Sequence, residues 1–541
     1  MVELLGTEIE WSISPPESYS PRSSSEFQKS IEEYHEEFSQ FACSTEISLR
    51  YLDNLFLRLC NNKKLFENLS LLPYKAGDNM AWLSNGSILY KDSTGHFEST
   101  TPECRNVFDA AGYEVASELI LQSLISRFAA RQGYEETPLM LKYNSDGIES
   151  WAYHENYSIA SNLGNNTLYR ILTFLTTREI FSSPGHIRDK SITTRDSTID
   201  DYFELSPRAK FIRKSISGHA TVGSEASSER PVIMSRDESL MDSQKYRRIQ
   251  IVSGNPTMFP YTTALKLGTT KLVLELLEIM PGFSIPGTRI PPEEAIKQIS
   301  IHPYDRLELE SGERLTPLEI QRKYCLEPAI KHFQGKSKET DWILYNWGLV
   351  LDLLKDSKKE LPETLIGFLD WPTKRYLLGI FADNQKLTLP GEEALLQLKW
   401  KDKEFHNIDL GMSLIFPYLS ASHYYPLNPE GILHRIFTPP NTRALIRGTI
   451  VKHFPKETTG ISWQSLSLKR GIIDLGNVVE LKQPEKLLHS FQEENPDLEK
   501  FITLCKEEQE VSISPPSKIS EKYLIRTNQG NTPPEGPAFS S

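Results

Sequence analysis

The sequence is short of most features that announce a particular class of protein. Its five cysteines, Cys43, Cys60, Cys104, Cys325 and Cys505, are odd in number and scattered, with no CxxC pair. A disulfide framework or a structural zinc site is therefore not expected, and reduced thiols are. No run of 18 or more apolar residues occurs, and the opening MVELLGTEIEW has neither a basic start nor an apolar stretch. Membrane insertion and secretion are not expected, which leaves the cytoplasm as the expected compartment. Basic residues are not massed either: 60 Lys and Arg stand against 72 Asp and Glu, a formal charge of −12. Nucleic acid is thus a poor partner. Walker A, GxGxxG before a helix, GxSxG and HExxH are all missing, so any nucleotide would have to be held by another scaffold.

What remains is ordinary globular material. The chain has 38% hydrophobic and 24% charged residues over 541 positions, more than one core usually serves, so a large unit and at least one small one are expected. Residues Leu4 to Ile13 alternate as a strand and stop at Ser14-Pro15-Pro16. An insert of about 14–79 follows, with helix-like stretches from Glu26 to about Phe41 and from Ser48 to Asn62. It is expected on the surface near a site. Met80 to Glu103 reads as a hairpin turning at Asn85-Gly86 and leading into a helix from about Val107 to Arg131. Shorter strands are expected at Pro138–Tyr143, Phe203–Leu205, Pro231–Met234 and Arg248–Ser253, with a helix over Tyr261–Met280. Beyond about residue 285 the chain reads as mainly helical. Strands mixed with long helices predict an α+β architecture. The large unit spans 1–425, a small C-terminal unit 429–505, and a tail poor in large apolar residues 506–541, expected to be disordered.

Four clusters carry candidate chemistry. Glu8 and Glu10 share one face of the first strand, since side chains repeat every two residues, and two such carboxylates repel unless a cation sits between them. Asp92, His96, Glu98 and Glu103 follow at a strand end. Trp151 to Tyr157 gathers His154, Glu155 and Asn156. Arg230, Arg236, Lys245, Arg247 and Arg248, and later Arg443 and Arg447 one helical turn apart, supply cations suited to phosphate or carboxylate. Taken singly, each cluster is also what a solvated strand face, a polar loop or a surface ion pair looks like.

Their order along the chain is more specific. The segments GTEIEW, NGSILYKD, HFESTTPEC, HENY, LTFLTTREIF, FELSPRA, RPVIMSRDE, KYRRIQIVSGN, LKLGTTKLVLELLE, LDWPTKRYLLGIF and TRALIRG, from residue 6 to about 450, resemble the Pup ligase and depupylase family. Its members attach or remove the prokaryotic ubiquitin-like protein Pup. The resemblance implies a glutamine-synthetase-like fold, in which a curved antiparallel sheet packed with helices cradles ATP and Mg2+, with a small C-terminal domain. It implies Glu8, Glu10 and Glu98 as magnesium ligands with His154 nearby, and Gln250 at a ligand position where the family has histidine. Asn156, Arg230, Arg236, Arg248, Arg443 and Arg447 become candidates for nucleotide or substrate contacts. Asp92, matching the aspartate that ends the family's LYxD strand, becomes the reacting carboxylate.

GTEIEW, LKLGTT, LDWPTK and the length of the insert resemble the depupylase branch more than the ligase. The resemblance therefore implies an ATP-dependent amidase acting on a small, disordered Pup-like modifier and its protein conjugates, with an indirect link to the proteasome. The ligase reaction through a γ-glutamyl phosphate is the alternative, and a non-catalytic tag-binding relative a further one. The last is motivated by departures: Leu240 stands where the family has histidine, and Gln250 and Asn255 where it has histidine and aspartate.

Overall fold

The computed structural model describes residues 2–14, 36–44, 47–48, 70–71, 73–77, 79–92, 95–142, 145, 150–188, 198–218, 230–235, 240–356, 363–389, 391–408, 427–489, 497–508 and 511–514. Ten strands form the main sheet: β1 (Leu5–Ser14), β2 (Tyr74–Lys75), β3 (Met80–Trp82), β4 (Ile88–Lys91), β5 (Phe97–Thr100), β6 (Leu139–Leu141), β7 (Tyr153–Ala160), β8 (Lys214–Ser217), β9 (Pro231–Met234) and β10 (Tyr246–Ile251). Their order is β8-β9-β10-β7-β1-β5-β4-β3-β2, with β6 also paired to β1. All pairs are antiparallel except β8 with β9, which run parallel. The expected antiparallel sheet is thus a mixed one, because the connection between its last-but-two strands returns in the same direction.

The first strand lies near the middle and has two successive neighbours on one side. From Leu5 to Ile9 it pairs with β7, and from Ser12 to Ser14 with β6. Between the two, Glu10 donates its backbone N–H to the Ala152 carbonyl at 3.0 Å. Ile9, Trp11 and Ile13 point into the core, and Glu8 and Glu10 to the other face.

Under the core face lie α1 (Val107–Gln132) and α2 (Pro260–Ile279), both buried over most of their length. Helix α1 starts at Asn106, whose side chain accepts the Asp109 N–H, and ends at Gly133, left-handed at φ 71°; both are expected caps. Burial on all sides forces the polar residues of these helices to pair. Tyr153 of β7 donates to Glu114 at 2.5 Å, Arg178 Nη2 reaches Glu155 at 2.5 Å, and Lys266 Nζ donates to the Asn255 carbonyl at 2.8 Å.

Helix α3 (Pro429–Phe437) packs on α1 through Ile432, Leu433 and Ile436 and belongs to this main core. A second hydrophobic cluster starts at Leu445 in α4 (Arg443–His453). It continues through a four-stranded sheet at Thr458–Ile461, Ser465–Leu468, Gly471–Asp474 and Ser512–Ser514, and includes the helix Leu498–Glu507. Trp82 and Ile88 of the β3–β4 hairpin are buried in this second cluster.

Three expectations are corrected. Part of the insert is core rather than surface: Phe38, in the helical stretch 36–44, is fully buried, with its ring 5.1 Å from Phe97 and 5.7 Å from Phe128. Ser48 lies in a strand pair, Ile47–Ser48 with Ser70–Leu71, not at a helix start, and 49–62 lie outside the described residues. The ordered chain also runs past 506, since Ser512–Ser514 completes the small sheet and Val511 is buried in its cluster. The remainder, 515–541, lies outside the described residues. Among the described residues no helix is long and apolar enough to cross a membrane.

The hairpin turn is where Asn85-Gly86 placed it. Gly86 N–H bonds the Leu83 carbonyl and Leu83 N–H the Ser87 carbonyl, both at 2.9 Å, and Gly86 sits at φ 86°. This is the three-residue loop with a left-handed glycine rather than a two-residue turn. A Cβ at Gly86 would meet that of Ala444 at 2.9 Å and that of Pro102 at 3.1 Å. Gly86→Ala is therefore expected to destabilise the fold by more than about 1 kcal/mol, from backbone strain and overpacking together. An unchanged thermal unfolding midpoint would contradict the tight seating of the hairpin on α4.

Candidate functional site

Strand periodicity assembles the site on the face opposite the core. Glu8 is in register with His154 of β7 and Thr100 of β5, and Glu10 with Glu98 of β5. In the segment His154-Glu155-Asn156-Tyr157, His154 and Asn156 face the site while Glu155 and Tyr157 turn into the core, where the Tyr157 hydroxyl donates to Glu155 at 2.8 Å. On β10, Gln250 is paired with Asn156.

The first carboxylate is ringed by nitrogen. Gln250 Nε2 donates to Glu8 Oε2 at 2.9 Å, Asn156 Nδ2 to Oε1 at 3.3 Å, and His154 Nδ1 lies 3.0 Å from Oε2. The amide oxygens of Gln250 and Asn156 are both buried and meet no donor among the described residues. Buried acceptors are rarely left so, and with three glutamates alongside they suit a hard divalent cation such as Mg2+.

Two residues on, Glu10 accepts the Ala152 N–H and lies 3.2 Å from His96 Nδ1. Burial drives its carboxyl upward, but the hydrogen bond and charge of His96, followed by His154 and Arg208, outweigh this and bring it down to about 2. Glu98 moves the other way. Burial, then the charges of Glu10, Glu8 and Asp92, lift its carboxyl well above the usual range, and the hydrogen bond from the Tyr90 hydroxyl only partly offsets them. One member of a crowded carboxylate set is thus pushed toward its neutral form.

Asp92 ends β4 in a short loop closed on itself: its side chain accepts the His96 N–H at 2.7 Å, and its own N–H bonds the His96 carbonyl at 2.9 Å. Ligating atoms of Glu10, Asp92 and His96 lie within 4.8 Å of one another. Lys91 is tied to Glu36 of the insert, so that segment borders this loop.

A cavity of about 510 Å³, counting solvent at its mouth, adjoins Glu8. Gly6, Thr101, Asn156, Arg248 and Arg443 line it, together with the apolar Leu4, Leu240 and Trp463. At Gly6 a Cβ would come within 3.2 Å of Thr101 Oγ1, closer than an ordinary contact. Leu240 holds a left-handed φ of 53°, a strained setting for a branched side chain.

The predicted arginines divide. Arg248 and Arg443 line the cavity, while Arg447 is fully buried against Glu103. Arg230 donates to the Ser150 carbonyl at 3.1 Å and lies over the Phe211 ring. Arg236 lies outside the described residues. Glu103, grouped with Asp92 by sequence, belongs instead to Arg443 and Arg447; burial raises its carboxyl, but the two guanidinium charges outweigh that and lower it. Asn255 is not at the site at all. It is buried below the sheet, where Nδ2 donates to Glu179 Oε2 at 3.0 Å and to Ser206 Oγ at 2.9 Å.

His96 belongs to the second candidate cluster of the sequence, whereas two residues that act on the carboxylates stand in none of the clusters: Tyr90, within β4, and Arg208. Arg208 lies in the FELSPRA segment. It is fixed by Val252, Ser150 and Trp151, and burial, reinforced by Arg230 against the pull of Glu10, lowers its guanidinium to about 9.

These features define an α+β protein with an acidic site on the open face of a large mixed sheet, beside a cavity. Two solved structures share the fold. The complex between Pup and its ligase PafA matches with a TM-score of 0.68 over 93% of this chain and 94% of that one, at 23% identity. PafA in complex with ADP matches at 0.64 over 77% and 90%, at 25% identity.

The family profile described as Pup-ligase protein matches residues 3–467, and the chain belongs to the Pup ligase/depupylase family. It is 30% identical to the Pup deamidase/depupylase of Mycolicibacterium smegmatis over 412 residues, 73% of this chain and 75% of that one. It is 31% identical to the depupylase of Acidothermus cellulolyticus over 398 residues (71% and 74%), and 29% identical to the Pup–protein ligase of Corynebacterium urealyticum over 427 residues (74% and 81%).

The placement of Asn255 yields a test. In Asn255→Asp a second carboxylate would face Glu179, whose own carboxyl burial already raises. The variant is expected to lose about 1–3 kcal/mol near neutral pH. A raised native pKa stabilises the protonated form, so the deficit should shrink as pH falls toward the ordinary carboxylate range and grow as it rises. A deficit independent of pH in thermal unfolding would refute the pairing.

Proposed function

We propose that this chain is an ATP- and Mg2+-dependent amidase of the depupylase branch, which hydrolyses the isopeptide bond between a Pup-like modifier and a protein lysine or the side-chain amide of a modifier's C-terminal glutamine. The observation that carries the reading is the gathering of Glu8, Glu10, Glu98 and Asp92 at one sheet face beside a cavity. The depupylase branch is favoured by GTEIEW and by the insert after β1.

Glu8, Glu10 and Glu98 would hold magnesium, with His154 and the amide oxygens of Gln250 and Asn156 beside it. Bound there, the ion supplies the positive charge that lets these carboxylates and a polyphosphate share one face. Nucleotide would lie in the cavity over Gly6, against Arg248 and Arg443. Asp92 accepts the proton of the attacking water as its oxygen bonds to the carbonyl carbon, and returns it to the leaving nitrogen as the C–N bond breaks. His96 keeps the Asp92 loop closed through its backbone, while its ring faces Glu10.

The ligase reading is kept because relatives named Pup–protein ligase match at 29–30% identity over similar spans. In that reaction Asp92 would take the proton of an incoming lysine attacking a γ-glutamyl phosphate.

Incubation of a Pup–protein conjugate with the protein, followed by mass spectrometry, tests the reading. Conjugate loss is expected only with ATP and Mg2+ present, and Asp92→Asn is expected to lower turnover at least about a hundredfold while still binding conjugate. Cleavage without nucleotide would overturn the reading. New conjugate formed with stoichiometric ATP consumption would transfer it to the ligase, and binding without product would make the chain a tag-binding relative.

A further inference from the structure

The Glu103 carboxylate is gripped by two guanidinium groups from α4. Arg443 Nε donates to Oε1 at 2.6 Å, Arg447 Nη1 to the same oxygen at 2.9 Å, and Arg447 Nη2 to Oε2. The helix is pinned at its start as well, since the Thr442 hydroxyl donates to the Glu103 carbonyl at 2.9 Å.

Each of the two arginines keeps one buried donor without an acceptor among the described residues, Arg443 Nη1 and Arg447 Nε, but their surroundings differ. Arg447 also donates to the Trp463 carbonyl at 3.1 Å, and its guanidinium carbon lies 5.1 Å from the Trp82 ring centre and 5.2 Å from that of Trp463. It is enclosed between two indoles and does not line the cavity. Arg443 is only 2% exposed, yet its Nη1 meets no acceptor among the described residues, and it lines the cavity beside Glu8. A buried charged donor without an acceptor is costly to leave so, and it points to an acceptor brought by a ligand. The cavity is also lined by Leu4, Leu5, Leu240, Met241 and Trp463. Apolar and aromatic lining beside a buried donor that lacks an acceptor suits the edge of a heteroaromatic base.

We infer that Glu103 is a positioning residue for the nucleobase: by holding Nε it sets Arg443 so that Nη1 is the donor offered to a base acceptor in this cavity. The inference rests on the nucleotide reading proposed above. It has a consequence for the fold. Gly6, Glu8 and Asn156 come from the main sheet, whereas Arg443 and Trp463 come from the part of the chain that builds the second hydrophobic cluster. Base binding and the seating of that cluster are then one event, governed by one carboxylate.

Two variants separate this from a purely structural role. Arg443→Lys keeps a cation for Glu103 but removes the second amino group. Glu103→Asp keeps the charge but shortens the reach. Binding of ADP and of inorganic tripolyphosphate is measured by calorimetry, with unfolding midpoints recorded without ligand. Both variants are expected to fold, to bind ADP about tenfold or more weakly, and to bind tripolyphosphate as the wild type does. If Glu103→Asp does not fold, Arg443→Lys alone decides. Wild-type affinity for ADP in Arg443→Lys overturns the inference while leaving the nucleotide reading intact, and so does an equal loss for ADP and tripolyphosphate. A wild-type protein that binds neither ligand removes the nucleotide reading and this inference with it.

Discussion

Mutual repulsion among carboxylates is the constraint around which this structure is arranged. Glu8, Glu10, Glu98 and Asp92 are drawn together by strand register and a short loop, and water is largely kept from Glu10 and Glu98. The surroundings answer each charge differently. Glu8 receives amide donors, and Glu10 receives a backbone N–H at the point where β1 exchanges one neighbour for another. Glu98 is given a phenol and is driven toward neutrality. The four carboxylates are thus held in four different electrostatic settings on one face.

The core beneath is arranged on the same principle. Because α1 and α2 are buried on nearly every side, their Glu114, Glu118 and Lys266, with Lys142 and Arg178, pair within the interior. Such networks penalise any register but their own, since a one-residue slip of β7 would turn Glu155 away from Arg178 and bring His154 into the core. The site-facing and core-facing halves of the same strand are therefore mutually enforcing.

Much of this was legible in the sequence, and the rest was not for identifiable reasons. The alternation around Glu8 and Glu10 and in the His154–Tyr157 segment foretold which residues share a face, because a strand's period is two. The spacing of Arg443 and Arg447 foretold a common helix face, but not that the face is buried on Glu103, since the partner lies more than 300 residues away in sequence. Asn255 read as a weakened site residue because the resemblance places an aspartate at its position. Only the turn after β10 shows that it points below the sheet. The insert read as surface because it is a long segment separating two candidate site segments, yet two aromatic rings suffice to anchor a helix against α1. The strand Ser512–Ser514 was not legible because three residues carry too little pattern to be seen.

The β3–β4 hairpin belongs to two cores at once: its strands are hydrogen-bonded into the main sheet, while Trp82 and Ile88 are interior residues of the C-terminal cluster. A boundary drawn anywhere between the two units along the chain would leave this hairpin with one of its faces bare. The protein consequently has no seam at which the small unit is separable as a module. Exchange of that unit between relatives would have to carry compatible residues at positions 82 and 88, some 360 residues upstream of the helix they pack against.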